Sequence, residues 1–177
     1  GTNGTADAGH SARGTLAGMG LCHWGITRAF VVPGTGVEVC GAGVGMGMQE
    51  QLKPEDQVIS LAPRYLTPAE HGKFLRRIDW PDLGIPSDLD REWWTKLAVD
   101  VKASQHRVVV HCYAGHGRTG TTLAILGVLL GVCPPGDPVK WLRGVYCPEA
   151  VETNGQLRYV ELVTERTVTV RPTVDGY

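Results

Sequence analysis

The sequence predicts an α/β domain with a central, mostly parallel sheet flanked by helices. Short apolar or β-branched runs alternate with stretches of helical periodicity along its 177 residues, the pattern of a layered α/β architecture. Several of the helical stretches open on a capping signal. The most strongly β-branched run, at 108–110, leads into a glycine-bearing loop and then an apolar stretch at 121–130. A strand, a loop and a helix in that order place a ligand beyond the carboxyl end of the strand.

Residues 1–20, rich in Gly, Ala, Thr and Ser, read as a flexible tail, and 21–177 as one domain. Strands are expected at 29–32 and 37–40, joined by the turn Pro33-Gly34-Thr35-Gly36, and a buried strand at 57–61. Thr67-Pro68-Ala69-Glu70 is a capping box with Pro at the first helical position, so a helix is expected to start there. A short strand at 76–79 follows. The helix at 89–104 carries Trp93, Leu97 and Val101 on one face. The central strand is 107–111. Asp137-Pro138 starts a helix to about 146, and Thr153 with Gln156 starts the last one, to about 165. Thr167 to Val170 alternates like an edge strand. The glycine-rich stretch 41–47 fits no nucleotide-binding pattern and reads as a pliable loop near the cleft.

Composition bounds the function. A net charge of −1 gives no global attraction for nucleic acid or an anionic membrane. The longest apolar run, at 121–133, is too short to span a bilayer. With no signal peptide in view, the expected location is cytoplasmic. Five cysteines, an odd number without a C-x-x-C pair, argue against a disulfide framework and against a zinc site. No cofactor or metal is expected. Asn3-Gly4-Thr5 matches a glycosylation sequon, but nothing else points to secretion.

The chemistry concentrates in His111-Cys112-Tyr113-Ala114-Gly115-His116-Gly117-Arg118-Thr119-Gly120. Gly115 and Gly117 let the backbone N–H groups of 113–118 curl inward as an anion nest at a helix N-terminus. Arg118 adds a planar two-pronged donor suited to phosphate. Cys112 at the base of this ring sits where its thiolate is favoured as a nucleophile. Thr119 is placed to bond the sulfur and ease its departure, or simply to open the helix. His111 is expected to orient the loop through backbone hydrogen bonds. The loop holds no good proton donor, so an acid must come from elsewhere.

His-Cys, five residues, then Arg-Thr resembles the signature loop of the cysteine-dependent protein tyrosine phosphatases, in their compact dual-specificity-like branch. Trp80-Pro81-Asp82-Leu83-Gly84-Ile85-Pro86 resembles the mobile general-acid loop of that family, and Glu152-Thr153-Asn154-Gly155-Gln156 its glutamine-bearing loop. The resemblance spans roughly 24–166. It implies Asp82 as general acid and base, with Asp79 as the competitor, and Gln156 as a positioner of water, with helix capping as its other reading. Glu152 stands where the tyrosine-specific branch carries Gln. The expected reaction is hydrolysis of phosphotyrosine, with dual specificity open, in a phosphorylated protein or peptide. A phosphoinositide or RNA 5′-phosphate substrate, or phosphate binding without turnover, are the alternatives. Tyr113 and His116 stand where phosphoinositide-directed relatives often carry lysines.

Overall fold

The computed structural model describes residues 23–66 and 73–177. The expectations for the tail, the sequon and the helix opening at Thr67 lie outside those residues. Among the described residues the sheet has five strands: β1 (Thr27–Val31), β2 (Glu38–Gly43), β3 (Gln57–Ser60), β4 (Lys73–Arg77) and β5 (Val108–Cys112). Their spatial order is β1-β2-β5-β3-β4. Only β1 and β2 pair antiparallel, through the turn at 33–36, and the other three ladders are parallel. The β-branched β5 is therefore central, and every one of its residues is buried. That is what a parallel strand covered on both faces requires.

Among the described residues four α-helices accompany the sheet: α1 (Arg91–Lys102), α2 (Gly117–Leu129), α3 (Pro138–Val145) and α4 (Asn154–Thr164). Three begin on side-chain caps. Asp90 accepts from the Trp93 N–H, Asp137 from those of Val139 and Lys140, and Thr153 forms a full capping box with Gln156. The fourth, α2, has no side-chain cap and starts inside the glycine-bearing loop, on His116. Its first N–H groups are thereby left without an N-cap side chain from His116. This helix is buried from Gly117 to Gly127 and is the central pillar on which α1, α3 and α4 pack.

Local readings differ from the sequence expectation in four places. On α1 the buried face is Trp94, Leu97, Ala98 and Val101, with Trp93 half-buried beside it. The glycine stretch is not a loop throughout: Gly41 and Gly43 belong to β2, where Cβ atoms would strike the Tyr146 ring and the Tyr113–Ala114 backbone. Glycine here serves close packing rather than pliability. Residues 167–170 form no strand. Their N–H groups go instead to carboxylates, Val168 to Glu161 and both Thr169 and Val170 to Asp137, so the alternating pattern is satisfied without a ladder. Finally, Cys147 is disulfide-bonded, although the odd cysteine count without a C-x-x-C pair argued against a disulfide framework. Sequence spacing does not show which cysteines meet in space.

Candidate active site

The loop 112–118 links the C-terminal end of β5 to α2. Gly115 has φ +80°, and a Cβ there would lie 2.6 Å from His23 Nε2 and 2.9 Å from the Ala42 backbone. Both the left-handed turn and the close approach require glycine. The carbonyl of Gly115 accepts from the hydroxyl of buried Tyr146 at 2.7 Å, which pins the back of the loop. Tyr146 was not singled out by sequence reasoning, because it meets the loop only through the fold.

Cys112 is 3 % exposed and lies on the floor of the ring. Its Sγ receives two hydrogen bonds, from the Thr119 hydroxyl at 3.1 Å and from the Gly115 N–H at 3.2 Å. Two donors thus converge on one sulfur. His111 places Nδ1 3.2 Å from the Cys112 carbonyl oxygen, beside the loop rather than in it. Burial, aided by the nearby Arg118 charge, lowers the His111 pKa to about 4. The imidazole is thus neutral near pH 7.

Arg118 is 4 % exposed. One terminal nitrogen donates to the Trp80 carbonyl at 3.0 Å, and the other lies 3.4 Å from the Asp82 carboxylate. Its Nε–H has no hydrogen-bond partner among the described residues. A buried guanidinium N–H needs an acceptor, and a phosphoryl oxygen held in the nest would be one. The guanidinium thus joins the anion ring to the segment 80–86.

That segment is ordered by its tryptophan. Trp80 is buried, and its indole N–H donates to the Gly84 carbonyl at 2.7 Å. Its ring packs edge-on against Trp94 and Tyr159, which are joined by a 2.7 Å hydrogen bond. Leu83 has φ +58°, so the chain turns sharply just after Asp82. The Asp82 side chain is 68 % exposed and faces Arg118. Asp79 instead borders a surface hollow of ≈ 370 Å³ with Arg76, Arg77 and Pro86, whose lining includes no residue of 112–118.

Gln156 is buried at the start of α4. Its carbonyl oxygen accepts from the N–H groups of Glu152 and Thr153, and its amide donates to the Gly84 carbonyl at 3.2 Å. It caps the helix and ties it to the Asp82 segment, and it also lies against Gly117, where a Cβ would meet its amide at 3.0–3.1 Å. Glu152 sits on the same spot, accepting from the Gly117 N–H. Burial first, and the Asp82 charge second, raise its pKa. Cys112, Arg118, Asp82, Thr119, Gln156 and the loop residues 113–117 therefore converge, with Glu152 beside them.

The rim is aromatic. Tyr113 is 52 % exposed and stands edge-on to Tyr65, with ring centroids 5.2 Å apart. Arg64 stacks on Tyr65. Sequence patterning gave no sign of Tyr65, whose neighbourhood is set by the end of β3.

Residues 64–141 match the family model described as protein-tyrosine phosphatase. An uncharacterized protein of Methanocaldococcus jannaschii, MJECL20, is 40 % identical over 79 residues, 45 % of this chain and 52 % of that protein. The tyrosine-protein phosphatase non-receptor type ptp-2 of Caenorhabditis elegans is 34 % identical over 105 residues, 49 % of this chain and 16 % of that protein. The chain spans about half the length of the first of these relatives and much less of the second. Among solved structures, Tk-PTP in its active form superposes with a TM-score of 0.58 at 21 % identity, covering 80 % of this chain and 98 % of that one. PTPMT1 in complex with PI(5)P gives 0.54 at 17 % identity, over 72 % of this chain and 90 % of that one. These likenesses establish a common fold.

Proposed function

We propose, from the premise that this chain belongs to the cysteine-dependent protein tyrosine phosphatase superfamily, that it hydrolyses phosphate monoesters through a phosphocysteine. Its preferred substrate is phosphotyrosine in a protein or peptide, and its specificity extends to phosphoserine and phosphothreonine only weakly. The observation that carries this reading is the convergence on one point of the doubly hydrogen-bonded Cys112 sulfur, the buried Arg118 guanidinium and the Asp82 carboxylate.

In the first step the Cys112 thiolate attacks phosphorus opposite the ester oxygen. An S–P bond forms and the P–O ester bond breaks. Arg118 and the loop N–H groups hold the three equatorial oxygens, where the transition state spreads its charge. Asp82 passes its proton to the departing oxygen. In the second step the Asp82 carboxylate takes a proton from water, whose oxygen attacks phosphorus. The S–P bond breaks, releasing inorganic phosphate, while the Thr119 hydroxyl donates to the returning thiolate. Gln156 holds the Asp82 segment against α4 through Gly84, so that acid and nucleophile stay in register.

Two features support an aryl ester. The nucleophile is buried, at 3 % exposure, while its loop neighbour Tyr113 is 52 % exposed, so a long, flat ester reaches it best. The rim offers the faces and edges of Tyr65 and Tyr113 rather than a lysine cluster. A panel of phosphotyrosine, phosphoserine and phosphothreonine peptides with soluble phosphoinositides tests this. The account expects kcat/KM for phosphotyrosine at least about tenfold above every other member, a difference of about 1.4 kcal/mol in transition-state binding. A phosphoinositide turned over faster than the peptide would move the assignment to lipid headgroups.

A further inference from the structure

Glu152 is anchored through its main chain as well as its carboxylate. It follows Val151, at φ +65°, and precedes the cap residue Thr153. Its N–H donates to Gln156 Oε1 at 3.0 Å, while its carboxylate accepts from the Gly117 N–H. Its carbonyl accepts from two further N–H groups, those of Thr173 and Val174, each at 2.9 Å. Two residues on, the Asn154 N–H that opens α4 donates to the Tyr177 carbonyl at 3.1 Å. The stretch 171–177 therefore runs back along the segment that carries Glu152.

The path of the chain makes this return possible. Helix α4 is capped by Glu165, whose left-handed φ of +59° turns the backbone. Glu161 and Asp137 then take the N–H groups of 168–170. In the returning stretch Pro172 and Val174 are half-buried and every other residue is exposed. So little burial adds little to global stability. The backbone hydrogen bonds of the stretch go instead to residues 152 and 154, beside the phosphate loop.

We propose that the stretch 171–177 is a positioning brace: the Thr173 and Val174 N–H groups hold Glu152 so that its carboxylate stays on the Gly117 N–H. This rests on the phosphatase reading, in which that N–H receives a phosphoryl oxygen. One N–H serves one strong acceptor, and two anions at one donor repel. Asp82 already places a second negative charge close to Glu152. The brace therefore weakens the loop's hold on oxyanions, product phosphate included, and favours release after hydrolysis. Thr173 and Val174 are positioning residues, which act through Glu152 rather than on the reacting atoms.

Vanadate inhibition of p-nitrophenyl phosphate hydrolysis by the full chain reads the effect. Thr173→Pro and Val174→Pro each remove one donor, whereas Thr173→Ala keeps it. The expected vanadate inhibition constant is at least about threefold lower in each proline variant. It stays at the wild-type value in Thr173→Ala, and neither proline changes it further when added to Glu152→Gln. A stretch with only a structural role would lower Tm and kcat without that dependence on Glu152. Wild-type inhibition in both proline variants, or the same shift in the Glu152→Gln background, would overturn the brace. Where a proline variant fails to fold, the wild type decides. Coupling is reciprocal, so saturating vanadate should speed hydrogen exchange at the Thr173 and Val174 amides, and unchanged exchange rejects the brace. A wild type that binds vanadate but turns over no phosphate ester refutes the phosphatase reading alone, and the exchange measurement then decides on the brace.

Discussion

Replacing Asp82 with Ala separates catalysis from stability, because the structure makes the two effects very different in size. The Asp82 carboxylate is 68 % exposed and 3.4 Å from the Arg118 guanidinium. With the carboxylate largely solvated and the guanidinium buried, such a pair contributes about 1 kcal/mol. For a domain of this size that moves Tm by less than about 4 °C. Loss of a positioned general acid costs about 10²–10⁴ in kcat, or about 3–5 kcal/mol of transition-state stabilisation. The assay is steady-state kinetics on a phosphotyrosine peptide and on p-nitrophenyl phosphate, with a thermal melt of each protein. The deficit should be larger for the peptide, whose departing phenolate is more basic and needs the proton more. KM should change little, since the role proposed for Asp82 is on the leaving oxygen rather than in ground-state binding. Asp79→Ala, at the separate hollow, should stay within about threefold of wild type. Near-normal turnover in Asp82→Ala together with a dead Asp79→Ala would refute the assignment.

Three further outcomes follow from the same geometry. Tyr146→Phe removes the 2.7 Å hydrogen bond to the Gly115 carbonyl, leaving a buried acceptor unpaired; denaturant unfolding should show a loss of about 1–3 kcal/mol. Glu152→Gln removes a half-buried negative charge from the Gly117 N–H, so phosphate or vanadate inhibition should tighten several-fold, reflecting about 1 kcal/mol of relieved repulsion, and unchanged inhibition would mean that Glu152 does not face the bound anion. His111 is held neutral down to about pH 4 in the folded chain against 6.5 unfolded. The unfolded state therefore binds the extra proton first as pH falls. Stability should drop between pH 6.5 and 4, by about 3 kcal/mol for this residue, and chemical denaturation at stepped pH should show a flatter slope in His111→Gln.

The parts of the site carried by one continuous segment were legible in the sequence. Cys112 to Arg118 could be read as an anion ring because strand, glycines and helix are consecutive, so local geometry alone brings them together. The caps at Asp137 and Thr153 were legible for the same reason. What depends on the packing of distant segments was not. The Tyr146 hydroxyl on Gly115, the Trp80 carbonyl on Arg118 and the Gly84 carbonyl on Gln156 join residues far apart in the chain. The stretch 167–170 shows the converse: its alternation suggested a strand, but the Asp137 and Glu161 carboxylates satisfy its N–H groups instead. The glycines at 41 and 43 likewise took their meaning from the Tyr146 ring and the loop backbone pressed against them.

The most direct measurement is acid quenching during turnover of a phosphotyrosine peptide, followed by mass analysis of the proteolysed enzyme. The account predicts one PO₃ group on the peptide containing Cys112, chasing to inorganic phosphate and absent from Cys112→Ser, which should also be inactive. A phosphoryl group found on any other side chain, or full turnover by Cys112→Ser, would contradict it.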